Sequence, residues 1–561
     1  MFREIALSPT KRHEPSALGS RRQFLKTGVT AVGGSALLPD FLAPRPAIPN
    51  SSTDSVPAFE LDEITIAALR DGLNSSKYTS RTLAEKYIAR IEEIDRKGPA
   101  LKSVIELNPE ALEIADRLDE ERRAKGARGP LHGIPVLLKD NIATADKMQT
   151  TAGSLALVGS VVPKDSAVAA RLRAAGALIL GKTNLSEWAN FRSTHSTSGW
   201  SGRGGLTANP YALDRNPSGS SSGSGAAVAA NLCAVAVGSE TDGSIVSPSC
   251  NCGIVGIKPT VGLVARTGIV PISHTQDTAG PMARTVADAA ALLGAIAGTD
   301  PGDAATDAAR VKIESDYTRF LDRNGLHGAR LGVVRKYAGF DRNVDRMFEQ
   351  AITAMKQAGA EIVDPAEIPT IGKFDDAENQ VLQFEFKADL NNYLAWLGPN
   401  APVHSLKEII EFNDKHYDQE LPYFGQEIML HSEARGPLTS PDYLKALGDC
   451  RRMSRTEGID AVMDKLKLDA LIAPTGSAAW NTDLINGDHT VGGSSTLAAV
   501  AGYPNINIPM GWIFGLPVGI SFFGRAWSEP TLIKFAYAYE HISRARKPPR
   551  FLPTADLSLP G

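Results

Sequence analysis

The stretch NPSGSSSGSGAAVAANLCAVAVGSETDGSIVSPS (216–249) carries nine serines and no Lys, Arg or His; the serines are Ser218, Ser220, Ser221, Ser222, Ser224, Ser239, Ser244, Ser247 and Ser249. Three readings compete. A Gly/Ser run is flexible where it joins domains, but this one passes straight into an Ala-rich helical segment (226–232) and an apolar strand-like run (233–238), so both neighbours read as core. Gly219-Ser220-Ser221-Ser222-Gly223 matches G-x-S-x-G, which would place a nucleophile, Ser221, on a strand-to-helix elbow. The helix follows, yet the preceding TANPYALDRNP holds two prolines and no strand pattern. The third reading starts at Ser244, in a tight turn after a strand. There the successive N–H groups of Thr241, Asp242, Gly243 and Ser244 can converge as an oxyanion hole. A serine so placed still needs a base, and the nearest histidines, His195 and His274, are remote in sequence and suit a surface or a pocket wall.

Working outward, short apolar strands alternate with amphipathic helices. TSRTLAEKYIARIEEIDRK (79–97) puts Leu83, Tyr87, Ile91 and Ile94 on one face, with Thr82 and Glu85 at capping-box spacing. GIPVLLK (133–139) is a buried strand, SAVAARLRAAG a helix closed by Gly176, and ALIL (177–180) another strand. This alternation is α/β, with a substantially parallel sheet. Between about 370 and 450 strand signals vanish and long polar helices take over, as in FDDAENQVLQFEFKADLNNYLAWL. Strand character returns at LDALIAPT (468–475) and GYPNINIPMG (502–511), so the helical part reads as an insertion in one fold, packed on the sheet as an extra layer or roofing a pocket.

With 561 residues, 43% hydrophobic, 22% charged and a net charge of −4, the chain is globular in composition and has no basic face for nucleic acid. Four cysteines, Cys233, Cys250, Cys252 and Cys450, show no CxxC or Cys/His spacing, and no HExxH occurs, so neither a metal nor another cofactor is expected. At the N-terminus, Ser20-Arg21-Arg22-Gln23-Phe24-Leu25-Lys26, the apolar TGVTAVGGSALL and the exit FLAPRPAIP form a secretion signal whose paired arginines mark twin-arginine export. The apolar run is too short to span a bilayer. Residues 1–50 are therefore expected to be signal and exit segment, and 51–561 a single domain. The protein is expected to be bacterial, exported by the twin-arginine machinery to the periplasm or exterior, without a stable membrane anchor.

Taken together, GIPVLLKDN (133–141), DSAVAARLRAAGALILGKTNLSEWA (165–189), NPSGSSSGSGAA (216–227), ETDGSIVSPS (240–249), GIVGIKPTVG (253–262) and DTAGPMARTVADAA (277–290) resemble the amidase signature family, as do LDALIAPT and AGYPNINIPMG near the C-terminus. The likeness covers residues 60–545. It implies a mixed central β-sheet flanked by α-helices and a Ser–cis-Ser–Lys triad. Lys139 matches the lysine closing the strand before Asp-Asn, Ser220 the serine after a cis peptide bond, and Ser244 the nucleophile. The Ser-rich stretch then becomes a rigid bridge presenting one hydroxyl, its glycines permitting uncommon torsions. The chemistry is coherent, because an amide nitrogen leaves poorly: the site must activate a nucleophile, stabilise an oxyanion and protonate the amine. Lysine serves as base only when neutral, and burial at the end of an apolar strand favours that form.

Most members of the family have Gly-Gly before the nucleophile and Arg two residues after it; this chain has Asp242-Gly243 and Val246. An arginine there would pair with a substrate carboxylate, so Val246 argues against small acidic amides and against transamidation in charged-tRNA synthesis. ETDGSIV, SGWSGRGG (198–205) and the serine loop are similar to bacterial peptide amidases. This implies a neutral, partly extended amide, a small molecule or a peptide amide, as substrate. Ser221 is expected to support the loop. Thr194, Ser196 and Ser198 are expected to line the pocket or cap their own loop. Asp242 must turn its carboxylate away from the oxyanion. Two alternatives stand beside this: an exported serine esterase using Ser221, and a non-catalytic binding protein of the same fold.

Overall fold

The computed structural model describes residues 56–561; the signal reading of residues 1–50 lies outside the described residues. The centre is an eleven-stranded mixed sheet flanked by helices. Its strands are β1 (Val104–Leu107), β2 (Pro135–Lys139), β3 (Leu178–Thr183), β6 (Val235–Glu240), β7 (Val255–Lys258), β8 (Thr278–Ala283), β9 (Arg330–Val333), β10 (Glu361–Val363), β11 (Ala470–Pro474), β12 (Asn505–Ile513) and β13 (Leu516–Phe523). Two residues each of β4 (Trp200–Ser201) and β5 (Gly205–Leu206) form a separate small ladder. The spatial order is β1-β3-β2-β6-β8-β7-β12-β13-β11-β9-β10.

The local patterns give a mostly parallel sheet, whereas six of its ten pairings are antiparallel. Parallel pairing survives in two places, β3-β2-β6 and β11-β9-β10, where helices cross over between strands. The antiparallel centre includes a hairpin: β12 and β13 are joined by Phe514-Gly515, both at positive φ (51° and 78°). Such a two-residue turn matches strand twist.

Buried strands carry the core. Every residue of β2, β3, β6 and β13 is buried, as parallel and central strands covered on both faces must be. Leu83, Tyr87, Ile91 and Ile94 are all fully buried, as their spacing requires. The cap of that helix differs from the expectation. Thr79 is the N-cap of helix Ser80–Arg90, and Thr82 is its partner in the capping box. Thr82 therefore sits one turn inside, because Thr79 already offers the preceding β-region hydroxyl.

Between β10 and β11 the described chain is helical, with Asp375–Leu397, Leu406–Lys415 and Pro441–Arg451 the longest pieces. One tie between these helices and the sheet-bearing part centres on the buried side chains of Arg192, Glu187 and Glu420. Arg192 donates to the Glu187 carboxylate and to Glu420 O (2.6 Å), and Leu155 N donates to Glu420 Oε1 at 2.7 Å. All four cysteines are buried and unpaired. No helix of the described residues is long and apolar enough to cross a membrane.

Candidate active site

β2 and β6 run parallel with Leu138 beside Val237, so their C-terminal ends bring Lys139 and Ser239 to the same edge. Carboxyl ends of parallel strands are where open α/β sheets place ligands. Lys139 is fully buried. Its Nζ lies 2.7 Å from Ser220 Oγ, 3.0 Å from Ser239 Oγ and 3.2 Å from Ser239 O. Burial pulls the ammonium pKa down to about 7, against the opposing charges of Asp277 and Glu240. A neutral amine has two N–H bonds and one lone pair. Ser239 O can only accept, and Ser239 Oγ also accepts from Asn141 Nδ2 at 2.9 Å. With both N–H bonds on Ser239, the lone pair faces Ser220, the direction a base needs.

The Gly219–Ser220 peptide bond is cis, and Ser186 N donates to Ser220 O at 3.0 Å. The loop leaves no room for side chains at its glycines. A Cβ on Gly219 would meet Ser186 Oγ at 2.2 Å, and one on Gly223 would meet the backbone of Ser103 and Asn184 at 2.3 to 2.7 Å. Ser221 Oγ donates to Ser239 O (3.0 Å) and accepts from Ser239 N (3.2 Å), while Ser221 N donates to Ser244 O (3.2 Å). Ser221 thus stitches the loop to β6 and to the Ser244 turn. No base contacts it, and no strand lies between Leu206 and helix Ser222–Ala229 to form an elbow.

Ser244 follows Gly243, which sits at φ +78°, a left-handed position suited to glycine. The turn is pinned from both sides. Ile245 N and Val246 N donate to Glu240 Oε2 at 2.7 and 3.0 Å, and Thr241 Oγ1 donates to Asp277 Oδ1 at 2.6 Å. Among the described residues, the N–H groups of Thr241, Asp242, Gly243 and Ser244 have no hydrogen-bond acceptor. Four orphan donors on one turn suit a developing oxyanion. Asp242 turns one carboxylate oxygen to Thr496 Oγ1 (2.7 Å), and burial pushes its pKa up. Val246 is buried.

Of the THSTS residues only Ser196 caps its own loop, while Thr194 and Ser198 tie the loop to distant segments. Thr194 Oγ1 donates to Glu427 (2.8 Å), Ser196 Oγ to Ser193 O (2.8 Å), and Ser198 Oγ to Asp488. None of them bonds Lys139, Ser220 or Ser244. His195 is largely exposed, and His274 pairs with Asp389 across a cavity wall. Sequence reasoning passed over Ser239, Asn141 and Asp277. Polar residues closing two apolar strands (VAVGSE and PVLLKDN) are the signal that could have found the first two.

A family model described as Amidase matches residues 82–533. An Arabidopsis thaliana protein described as a probable amidase is 44% identical over 503 residues, 88% of this chain and 93% of its own. The native peptide amidase from Stenotrophomonas maltophilia is 52% identical, with a TM-score of 0.84, covering 88% of this chain and 100% of that one. Plant and fungal relatives carry this body at 36% to 44% identity. These plant and fungal relatives overturn the expectation of a bacterial protein exported by twin-arginine machinery to the periplasm or exterior.

Proposed function

The chain belongs to the amidase family, and from that premise we propose a carboxamide hydrolase working through an acyl-enzyme on Ser244. It is a hydrolase acting on amides. The finer reading, a Ser244–Ser220–Lys139 relay acting on the C-terminal amide of peptides, is carried by one observation: a fully buried Lys139 with its pKa near 7 lies 2.7 Å from Ser220 Oγ.

Neutral Lys139 takes the proton of Ser220 as Ser220 takes that of Ser244, and Ser244 Oγ attacks the amide carbon. The oxyanion settles among the N–H groups of the 241–244 turn, whose positions are fixed before the reaction. Ser220 then gives its proton to the nitrogen as the C–N bond breaks, and Lys139 returns a proton to Ser220. Water attacks the acyl-enzyme by the same relay in reverse. The likeness to a peptide amidase and the uncharged Val246 favour a neutral peptide amide.

The test is fluorophosphonate labelling of the purified protein with peptide mass mapping, beside Lys139→Ala. Labelling at Ser244 that falls sharply in the variant is expected, together with ammonia release from a peptide amide. Labelling at Ser221 would refute the relay and restore the esterase.

A further inference from the structure

The chain between β11 and helix Thr496–Ala501 is irregular, yet it returns to where it left. Ser494 N donates to Thr475 O at 3.2 Å, and Gly476 bridges Gly493. The loop so closed lies along the approach to Ser220. Arg215 and Asn481 form an antiparallel bridge, flanked by Asn216 N donating to Trp480 O (2.8 Å) and Thr482 N to Asp214 O (3.0 Å).

Beyond this pairing the loop delivers one carboxylate. Asp488 accepts from Ser198 N at 3.0 Å, from Ser198 Oγ at 2.5 Å and from Trp480 Nε1 at 3.3 Å. Ser198 is 4% exposed, and its O accepts from Asn216 Nδ2 at 2.8 Å. Its side chain lies against Gly219, where a Cβ would meet Ser198 Oγ at 3.0 Å and Ser198 Cβ at 3.1 Å. An O–H bond to a carboxylate is about twice as strong as one between neutral groups, so Asp488 fixes the wall on which the residue before Ser220 rests. The same stretch of chain runs on to the nucleophile. A Cβ on Gly243 would meet Ser495 Oγ at 3.0 Å, and Thr496 Oγ1 donates to Asp242.

We propose, on the relay reading above, that Asp488 is a positioning residue for amide hydrolysis: through Ser198 and Gly219 it sets where Ser220 Oγ stands between Lys139 and Ser244. In that relay Ser220 has two tasks. It passes on the proton of Ser244, and it protonates the nitrogen as the C–N bond breaks. A p-nitrophenolate leaves without a proton, so a p-nitrophenyl ester of the same acyl group needs only the first task. A misplaced Ser220 therefore slows the amide more than the ester, whereas a general loss of packing slows both alike.

The experiment measures kcat and KM of the full chain on a peptide amide and on that ester, with Ser220→Ala setting the scale. Asp488→Ala is expected to lower kcat for the amide roughly ten- to hundred-fold, to leave KM within about two-fold, and to lower kcat/KM for the ester less. Asp488→Asn, which keeps an acceptor for Ser198 N, is expected to recover part of the loss. Ser198→Ala removes only the hydroxyl and is expected to show the same preference at smaller size. Adding Asp488→Ala to it is expected to cost less than Asp488→Ala alone. Equal losses on amide and ester in folded Asp488→Ala and Ser198→Ala, beside an amide-selective loss in Ser220→Ala, would overturn the role of Asp488 and leave the relay standing. No amide selectivity in Ser220→Ala itself would sink the relay and this inference with it.

Discussion

Replacing Ser239 by Ala tests how the lysine is held. The hydroxyl lies 3.0 Å from Lys139 Nζ and accepts from Asn141 Nδ2 at 2.9 Å. A hydrogen bond to a charged group is worth about 1.5–3 kcal/mol and to a neutral one about 0.5–1.5 kcal/mol. Losing the acceptor therefore penalises the ammonium over the amine by about 1–1.5 kcal/mol, close to one pKa unit. Lys139 is fully buried, so solvent does not screen this difference. Its pKa, already near 7 by burial, should fall further. In the proposed relay the base must be neutral, so the wild-type rate is expected to rise with pH through about 7. In Ser239→Ala that rise should sit about one unit lower. The plateau should fall about ten-fold, ~1.4 kcal/mol, because one N–H loses its anchor and the lone pair is less well aimed at Ser220. The assay is the pH profile of kcat/KM for peptide amide hydrolysis. A rise that stays in place or moves to higher pH would refute the idea that Ser239 stabilises the charged lysine.

Gly223→Ala should cost about 3 kcal/mol of stability, because its Cβ would meet only backbone at 2.3 to 2.7 Å, atoms that cannot swing aside; a shift of denaturant midpoint below about 1 kcal/mol would contradict the geometry. Burial holds the Glu187 carboxyl well above the usual range beside Arg192 and Glu420. The folded state thus keeps a proton that the unfolded chain releases above about pH 4.5. Stability from that proton is full below this value and is lost as pH rises through the folded pKa. Glu187→Gln should flatten the fall of Tm with rising pH; an unchanged slope would show that the proton is not held there.

The proposed trio of Lys139, Ser220 and Ser244 comes from the resemblance of whole blocks, since taken alone Lys139 is a strand-end lysine and Ser220 one serine in a Gly/Ser tract. The sheet's pairing was less legible. Phe514 adopts φ 51° in the β12–β13 turn, a conformation that no local rule assigns to phenylalanine. Ser239 was indistinct among nine serines until β2 and β6 came into register. Thr82 looked like a cap because Thr79 and Thr82 carry the same hydroxyl, and only the backbone torsions separate them. The cavity that His274 and Asp389 line could not be foreseen at all, since its walls come from positions as far apart as Asn141 and Trp396.

The four unpaired cysteines make the chain its own clock. Burial holds the Cys233, Cys250 and Cys450 thiols up to about 12, and that of Cys252 higher still. An alkylating reagent attacks the thiolate, so each sulfur reacts only when its surroundings open. Cys233, Cys250 and Cys252 lie beside the central sheet, and Cys450 in helix Pro441–Arg451 of the helical part. Modification at one rate throughout would mean a single cooperative opening. A faster Cys450 would mean that the helices part from the sheet while the sheet stays shut, a breathing motion with its own free energy.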